Sequence, residues 1–331
     1  MIGTQDDTVA TTRVAIDEEP NLADFSFPDA VIHGLSITPK RLASKWLYDA
    51  KGAQLFEEIV ASPGYYIPRA EASILRTHSA NIAEMLGPGG NLLELGSGSS
   101  TKVRILLDAM KSLRCYLPVD ISELQLMEAS AALRLEYPSL QIHPIPADYM
   151  KTFQLPRHTR EGKLMAFFPG STLCNLLPHN SAGFLRRMGA VLGPGSFFLV
   201  GVDLKKNEAA LVRAYNDPDG PIWRFNLNIL ERMNRELGCS LNPTNFRHQA
   251  IYNSKVGRIE ASIVSVREQE ITVGRHLFKL GKEEPIVLEY SHKFEVEEFR
   301  ALAREGGWTP REAWIDEDNL FSVHLLSNRE V

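Results

Sequence analysis

Residues 91–102 read NLLELGSGSSTK: an apolar run closed by an acid, two glycines one residue apart, then small hydroxyl residues. This is the pattern of a strand turning sharply into a helix, with the backbone bared where something must come close. Three kinds of ligand compete for such a turn. A phosphate loop needs G-x-x-x-x-G-K-[ST], but here one residue separates the glycines and valine follows Lys102. A dinucleotide turn needs G-x-G-x-x-G, and Thr101 occupies the place of the third glycine, so that match is partial.

The third candidate is a nucleoside without phosphate, S-adenosylmethionine (SAM), as held by the class I methyltransferase fold. Its sulfonium and amino-acid tail want close backbone approach, which Gly96 and Gly98 permit, and a nearby acid, which Glu94 supplies. Asp120, ending the run YLPVD, stands where an acid grips ribose hydroxyls. Asp148, in PADY, stands where a polar residue meets adenine. Any one of these acids is equally an ordinary cap or solvated residue. Spaced along successive strands, they favour the SAM reading.

The elements that must position these residues follow from the apolar pattern. LLEL (92–95), CYLPVD (115–120), LQIHPI (140–145), KLMAFF (163–168) and SFFLVGVD (196–203) read as buried strands bounded by Gly, Pro or Asp. After the glycine pair, Val103, Leu106, Leu107 and Met110 fall on one helical face that Ser100 or Thr101 caps. Strand and helix alternate, predicting an α/β fold with a doubly wound, mainly parallel, Rossmann-like sheet that binds ligands beyond its carboxyl edge. Upstream, 51–60 and 69–86 read as helices, the second stopped by GPGG. SPGYYIPR (62–69) between them is a loop presenting Tyr65 and Tyr66. Beyond 245, the stretches 248–253, 257–268, 270–273 and 285–294 alternate at period two, predicting a second, smaller, mostly antiparallel α+β unit for substrate. The expected division is a partly disordered extension at 1–40, the main unit at 41–244, the smaller unit at 245–320, with a last helix at 295–306, and a final strand within 321–331.

Composition narrows the partners. The chain has 331 residues, 44% hydrophobic and 23% charged, with a formal charge of -5. It lacks a dense basic stripe interleaved with aromatics, so a nucleic-acid surface is not indicated and a small molecule is the default partner. The three cysteines are odd in number, far apart and without CxxC spacing, which argues for a reducing cytoplasm. The first 25 residues lack the features of a secretory signal, and no run is long enough to span a bilayer. The nine histidines form no HxxxH or HxH set with carboxylates, so no metal is expected, and PGST lacks the G-x-S-x-G frame of a hydrolase elbow. A monomer is expected.

At this point the chain resembles the histidine N-alpha-methyltransferases of ergothioneine biosynthesis, a family with fungal relatives acting on tryptophan derivatives. The resemblance runs from about 45 to 325 and is carried by LYDAKGAQLFEEI, GYYIPRAEASIL, LLELGSGSSTK, FFPGSTLCNL, LVRAYN, NSKVGRIEASI and LEYSHKF. It implies threefold methylation of the histidine α-amino group by SAM, giving trimethylhistidine (hercynine). It also implies a cofactor site lined by Gly96, Lys102, Asp120, Asp148 and Tyr149. Tyr48, Tyr65, Asn175, Tyr215, Glu289 and Ser291 would surround the amino acid.

The residues themselves bear on these roles. Asn175 follows the fourth strand, at the carboxyl edge, where its amide can face an ammonium or a carboxylate; satisfying a turn is an equal alternative. Glu289 and Ser291 lie two apart on a strand, hence on one face, opposite Leu288, Tyr290 and His292. A carboxylate and a hydroxyl facing together suit an imidazole N–H, and without a ligand they read as a wet strand face. Tyr215 equally fills core from an amphipathic helix. Ala261, in RIEASI, departs from the family: many histidine-specific members carry methionine there, and some tryptophan-type relatives carry a small residue. Glu289 favours histidine. The expected chemistry is in-line methyl transfer, with Tyr48, or a water held by it and Asn175, assisting loss of the ammonium proton. The alternatives are an N-methyltransferase of tryptophan or a derivative, and a noncatalytic SAM and amino-acid sensor.

Overall fold

The protein is described from a computed structural model covering residues 25–98, 101–218 and 220–328. Helices α1 (Phe27–Ser36), α2 (Ala50–Ala61) and α3 (Ile67–Leu86) precede β1 (Asn91–Leu95), α4 (Thr101–Ala109), β2 (Cys115–Asp120), α5 (Glu123–Glu136), β3 (Gln141–Ile142), β4 (Ile145–Pro146) and β5 (Leu164–Phe168). Then come α6 (Pro178–Leu192), β6 (Phe197–Asp203), α7 (Glu208–Tyr215) and α8 (Pro221–Leu237). The remaining elements are β7 (Phe246–Asn253), β8 (Arg258–Ser265), β9 (Gln269–Val273), β10 (His276–Leu280), β11 (Pro285–His292), α9 (Val296–Glu305), β12 (Trp308–Ile315) and β13 (Phe321–Asn328).

Every residue of β1 and of β5 is buried, which suits central parallel strands covered on both faces. The sheet runs β12-β13-β6-β5-β1-β2-β3, with β4 also beside β2. The pairs among β1 to β6 are parallel, β13 runs antiparallel to β6, and β12 antiparallel to β13. Alternation sorts the faces. Leu92, Met165, Phe167 and Leu199 join α3 and α4 in one core, while Leu93, Ala166, Phe168 and Val200 join α6 and α9 in another. The chain leaves β1 for β2 on one side and later returns as β5 on the other, which opens a crevice at their carboxyl ends.

A second sheet, β11-β8-β7, is antiparallel throughout, and β9 and β10 form a hairpin. Its core takes Phe27 from α1, Leu55 and Ile59 from α2, and Phe225 and Ile229 from α8, against Ile263, Ile286 and Leu288.

Several boundaries differ from expectation. Residues 27–36, assigned to the extension, form α1, capped by Ser26, whose side chain accepts from the Asp29 N–H; residues 1–24 lie outside the described region. Helix α2, expected with the main sheet, packs in the core of the smaller one because its apolar stripe meets α8. Helix α9 and β12, falling within 245–320, instead cover and extend the main sheet. The run LQIHPI divides into β3 and β4 around His143–Pro144, where proline has no N–H for the ladder. Strands β10 and β12 and helix α8 had no counterpart in the sequence reading. Helix α4 starts at Thr101; Ser100 lies outside the described residues. No described helix is long and apolar enough to cross a membrane.

Candidate active site

The glycine turn follows β1 at the crevice. Gly96 has φ +70° and its N–H donates to the Val119 carbonyl at 2.9 Å, tying the turn to β2. Only glycine adopts that angle without strain. A Cβ there would meet the Tyr149 ring at 3.7 Å, ordinary contact, so backbone angle rather than space selects the residue. Asp120 ends β2, its carboxylate accepting from the Ser122 N–H at 2.9 Å. Asp148 makes the matching local turn with the Met150 N–H. The Tyr149 ring is wedged edge-on against Phe168 and Phe184. Bared backbone, an acid at the strand end and Lys102 in the first turn of α4 fit the groups of SAM: a cationic tail, a ribose and a carboxylate.

Glu94, expected beside the cofactor's cationic tail, is buried within β1. It is 2% exposed and accepts the phenol proton of Tyr116. Burial lifts its carboxyl to about 8, against the pull of that hydrogen bond and of Lys102.

Beside the crevice lies a cleft with about 650 Å³ of space including its mouth. The structure brings Tyr48, Tyr65, Asn175, Tyr215, Ala261, Glu289 and Ser291 to it together. Tyr65 comes from the loop before α3, Asn175 from a 3₁₀ turn (Thr172–Asn175) after β5, and Tyr215 from the end of α7. Glu289 and Ser291 share a face of β11 as period two requires, while His292 turns away to the Cys174 carbonyl and Tyr290 stacks under Arg258. Tyr215 is not merely core filling: its ring meets Tyr65 edge-on, and its hydroxyl is 3.1 Å from Ser291 Oγ. Tyr48 leans on Phe56 and Phe225 with 45% of its surface open. Burial first, then Glu289, push its phenol above the ordinary value, an effect that this exposure moderates.

Glu289 is half-buried, and no described residue hydrogen-bonds its carboxylate. Burial raises it to about 7, partly offset by Lys293. Ala261 is its register partner on β8.

Sequence reasoning missed the supports. Glu71 of α3 is fully buried and joins the two halves: it accepts from Lys102 Nζ at 2.5 Å and from the Gly170 N–H at 3.0 and 3.1 Å. Gly201 leaves room for it, since a Cβ there would sit 2.1 Å from the Glu71 carboxylate. Nothing around Glu71 in sequence signals this. Asp203, ending β6, binds Lys206, Lys293 and the Tyr66 hydroxyl. Two signals were available: an acid closing a buried strand, as Asp120 does, and Lys293 continuing the period-two face of Glu289 and Ser291. Asn226, Phe225 and Thr172 also line the cleft.

A parallel sheet ending in an antiparallel strand, a glycine turn after its first strand and an acid closing its second define a class I SAM-dependent methyltransferase. More narrowly, the chain belongs to the family described as "Histidine-specific methyltransferase, SAM-dependent", which matches residues 27–328. It is 38% identical to a histidine N-alpha-methyltransferase of Mycobacterium tuberculosis over 90% of this chain and 93% of that one. Ergothioneine biosynthesis protein 1 of Neurospora crassa is 28% identical over 87% of this chain and 33% of its own length. A 4-dimethylallyltryptophan N-methyltransferase of Claviceps purpurea is 27% identical over 94% and 97%.

Proposed function

We propose that this methyltransferase acts on the α-amino group of L-histidine, three times, to give trimethylhistidine (hercynine), a step of ergothioneine biosynthesis. The observation that carries the substrate is Glu289: a half-buried carboxylate without a described partner, in the same cleft as Tyr215, Ser291 and Asn175. A buried carboxylate needs a donor, and an imidazole N–H is one. The family match and the 38% identical relative support the same choice.

SAM, when bound, supplies an electrophilic methyl on a positive sulfur. The chain's residues then have three tasks. Asp120 and the turn at Gly96–Gly98 hold the nucleoside at the crevice. Glu289 and Ser291 hold the ring of the amino acid, and Tyr65, Tyr215 and Asn175 restrict its backbone end, so that the amine meets the donor in line and water is excluded. The ammonium must also lose a proton. The Tyr48 phenol stays protonated at neutral pH, so it accepts from the amine through its oxygen while the proton leaves by water, rather than acting as an anionic base.

Mass spectrometry of the protein incubated with SAM and a mixture of amino acids tests this directly. Trimethylated histidine is the expected product. Methylated tryptophan would instead promote the reading that Ala261 keeps open, and SAM binding without S-adenosylhomocysteine release would point to a sensor.

A further inference from the structure

Behind Tyr215 and Ser291, out of reach of the cleft, lies a buried ion cluster whose proton inventory constrains both hydroxyls. The Lys293 side chain is fully buried. Its Nζ is 2.6 Å from Asp203 Oδ2, 2.9 Å from Tyr215 Oη and 2.8 Å from Ser291 Oγ. An ammonium has three N–H donors and accepts nothing, so these contacts use it up. Both hydroxyl oxygens are therefore acceptors toward Lys293, and each must give its own proton elsewhere. They are 3.1 Å apart, and one O–H satisfies that contact. The other O–H has no described acceptor and is left for the cleft.

Asp203 is fully buried and faces two ammoniums, Lys293 and Lys206 at 2.6 and 2.5 Å. Burial favours its neutral form, yet the two cations outweigh this and keep it ionised. The Tyr66 hydroxyl spends its proton on Asp203 and adds no charge. Within the cluster two ammoniums thus face one carboxylate, with Glu289 of the cleft acting on Lys293 and Asp316 acting on Lys206 as the next acids.

We propose that Lys293 is a positioning residue: it donates to both oxygens and, with Ser291 giving its proton to Tyr215 Oη, leaves the Tyr215 hydroxyl to donate into the cleft, toward the carboxylate of the bound amino acid. The inference rests on the cleft being the amino-acid pocket.

Calorimetric titration of L-histidine and histamine into the S-adenosylhomocysteine complex tests it, using the native protein, Lys293→Met and Lys293→Gln. The native protein is expected to prefer histidine. Lys293→Met is expected to weaken histidine by about tenfold to a hundredfold, the worth of a charge-assisted hydrogen bond, and to leave histamine nearly unchanged. Lys293→Gln, which keeps N–H donors without the charge, should fall between, and it stands in if Lys293→Met does not fold. In turnover, KM for histidine should rise more than kcat falls. Equal weakening of both ligands, with S-adenosylhomocysteine affinity intact, would mean a merely structural lysine and overturns the proposal. So does a native protein indifferent to the carboxylate. If the protein binds tryptophan and not histidine, the choice of histidine fails separately, and the same criterion applied to tryptophan and tryptamine still decides the role of Lys293.

Discussion

The crevice at the glycine turn and the cleft beside it are built on opposite plans. Gly96, Gly98, Asp120, Asp148 and Tyr149 come from strand ends and adjoining turns, and Lys102 from the first turn of α4, all between residues 96 and 149. The cleft gathers side chains from the 3₁₀ turn before α2, from α2 itself, the Tyr65 loop, the turn after β5, α7, α8, β8 and β11. On the proposed function, the cofactor is met by local chain geometry built from residues close together in the sequence. The substrate, on the same proposal, is met by polar groups brought from distant segments, each needing its own support. The two plans join at Glu71, which holds Lys102 on one side and Gly170 on the other, and at Asp203, which ends a main-sheet strand and anchors Lys293.

The largest effect should come from breaking the second junction. Asp203→Asn leaves two buried ammoniums without their carboxylate and is expected to cost about 3–5 kcal/mol of stability, read from chemical denaturation. A loss well below that would mean that the two regions stand more independently than their shared ion cluster implies.

Glu289→Gln should separate the regions. Histidine affinity is expected to fall by roughly tenfold to a hundredfold while S-adenosylhomocysteine affinity holds. The pH dependence has a definite sign. Glu289 accepts an N–H as its ionised form, and its carboxyl is raised to about 7, so histidine affinity in the native protein should grow as pH climbs through about 7. The Gln variant, titrated with the same ligand, should lack that component; an unchanged profile would remove Glu289 from the subsite.

Gly96→Ala gives the smallest effect, and the reverse one. The new methyl has room beside Tyr149, but φ +70° costs an L-residue about 1–2 kcal/mol. Where the free turn relaxes to relieve that strain, S-adenosylhomocysteine binding, which needs the native turn, should weaken by up to about tenfold, with little change at the cleft. Equal damage to both ligands would show that the turn shapes the cleft as well.

How much of this was legible follows the same contrast. The apolar runs 92–95, 115–120, 163–168 and 196–203 correspond closely to strands β1, β2, β5 and β6, because a strand buried on both faces has to be continuously apolar. Glu289 and Ser291 share a face because side chains alternate along any strand. The exchange of partners between regions was not legible. Helices α1 and α2 carry ordinary amphipathic patterns that do not name the sheet they cover, and β12 reads poorly because it lies at the sheet's edge with few buried residues.

From the sequence alone came the alternation of elements, the turn that only glycine can make and the acids at the strand ends, since each depends on neighbours a few residues away. Tertiary structure decided that Glu94 sits beneath the turn with Tyr116, that Glu71 bridges Lys102 to Gly170, and that Lys293 spends its three protons on Asp203, Tyr215 and Ser291. Glu71 lies 31 residues from Lys102 and 99 from Gly170, and Lys293 lies 78 from Tyr215. A buried charge is tolerated only where folding happens to bring its counter-charge, and no local pattern encodes that meeting.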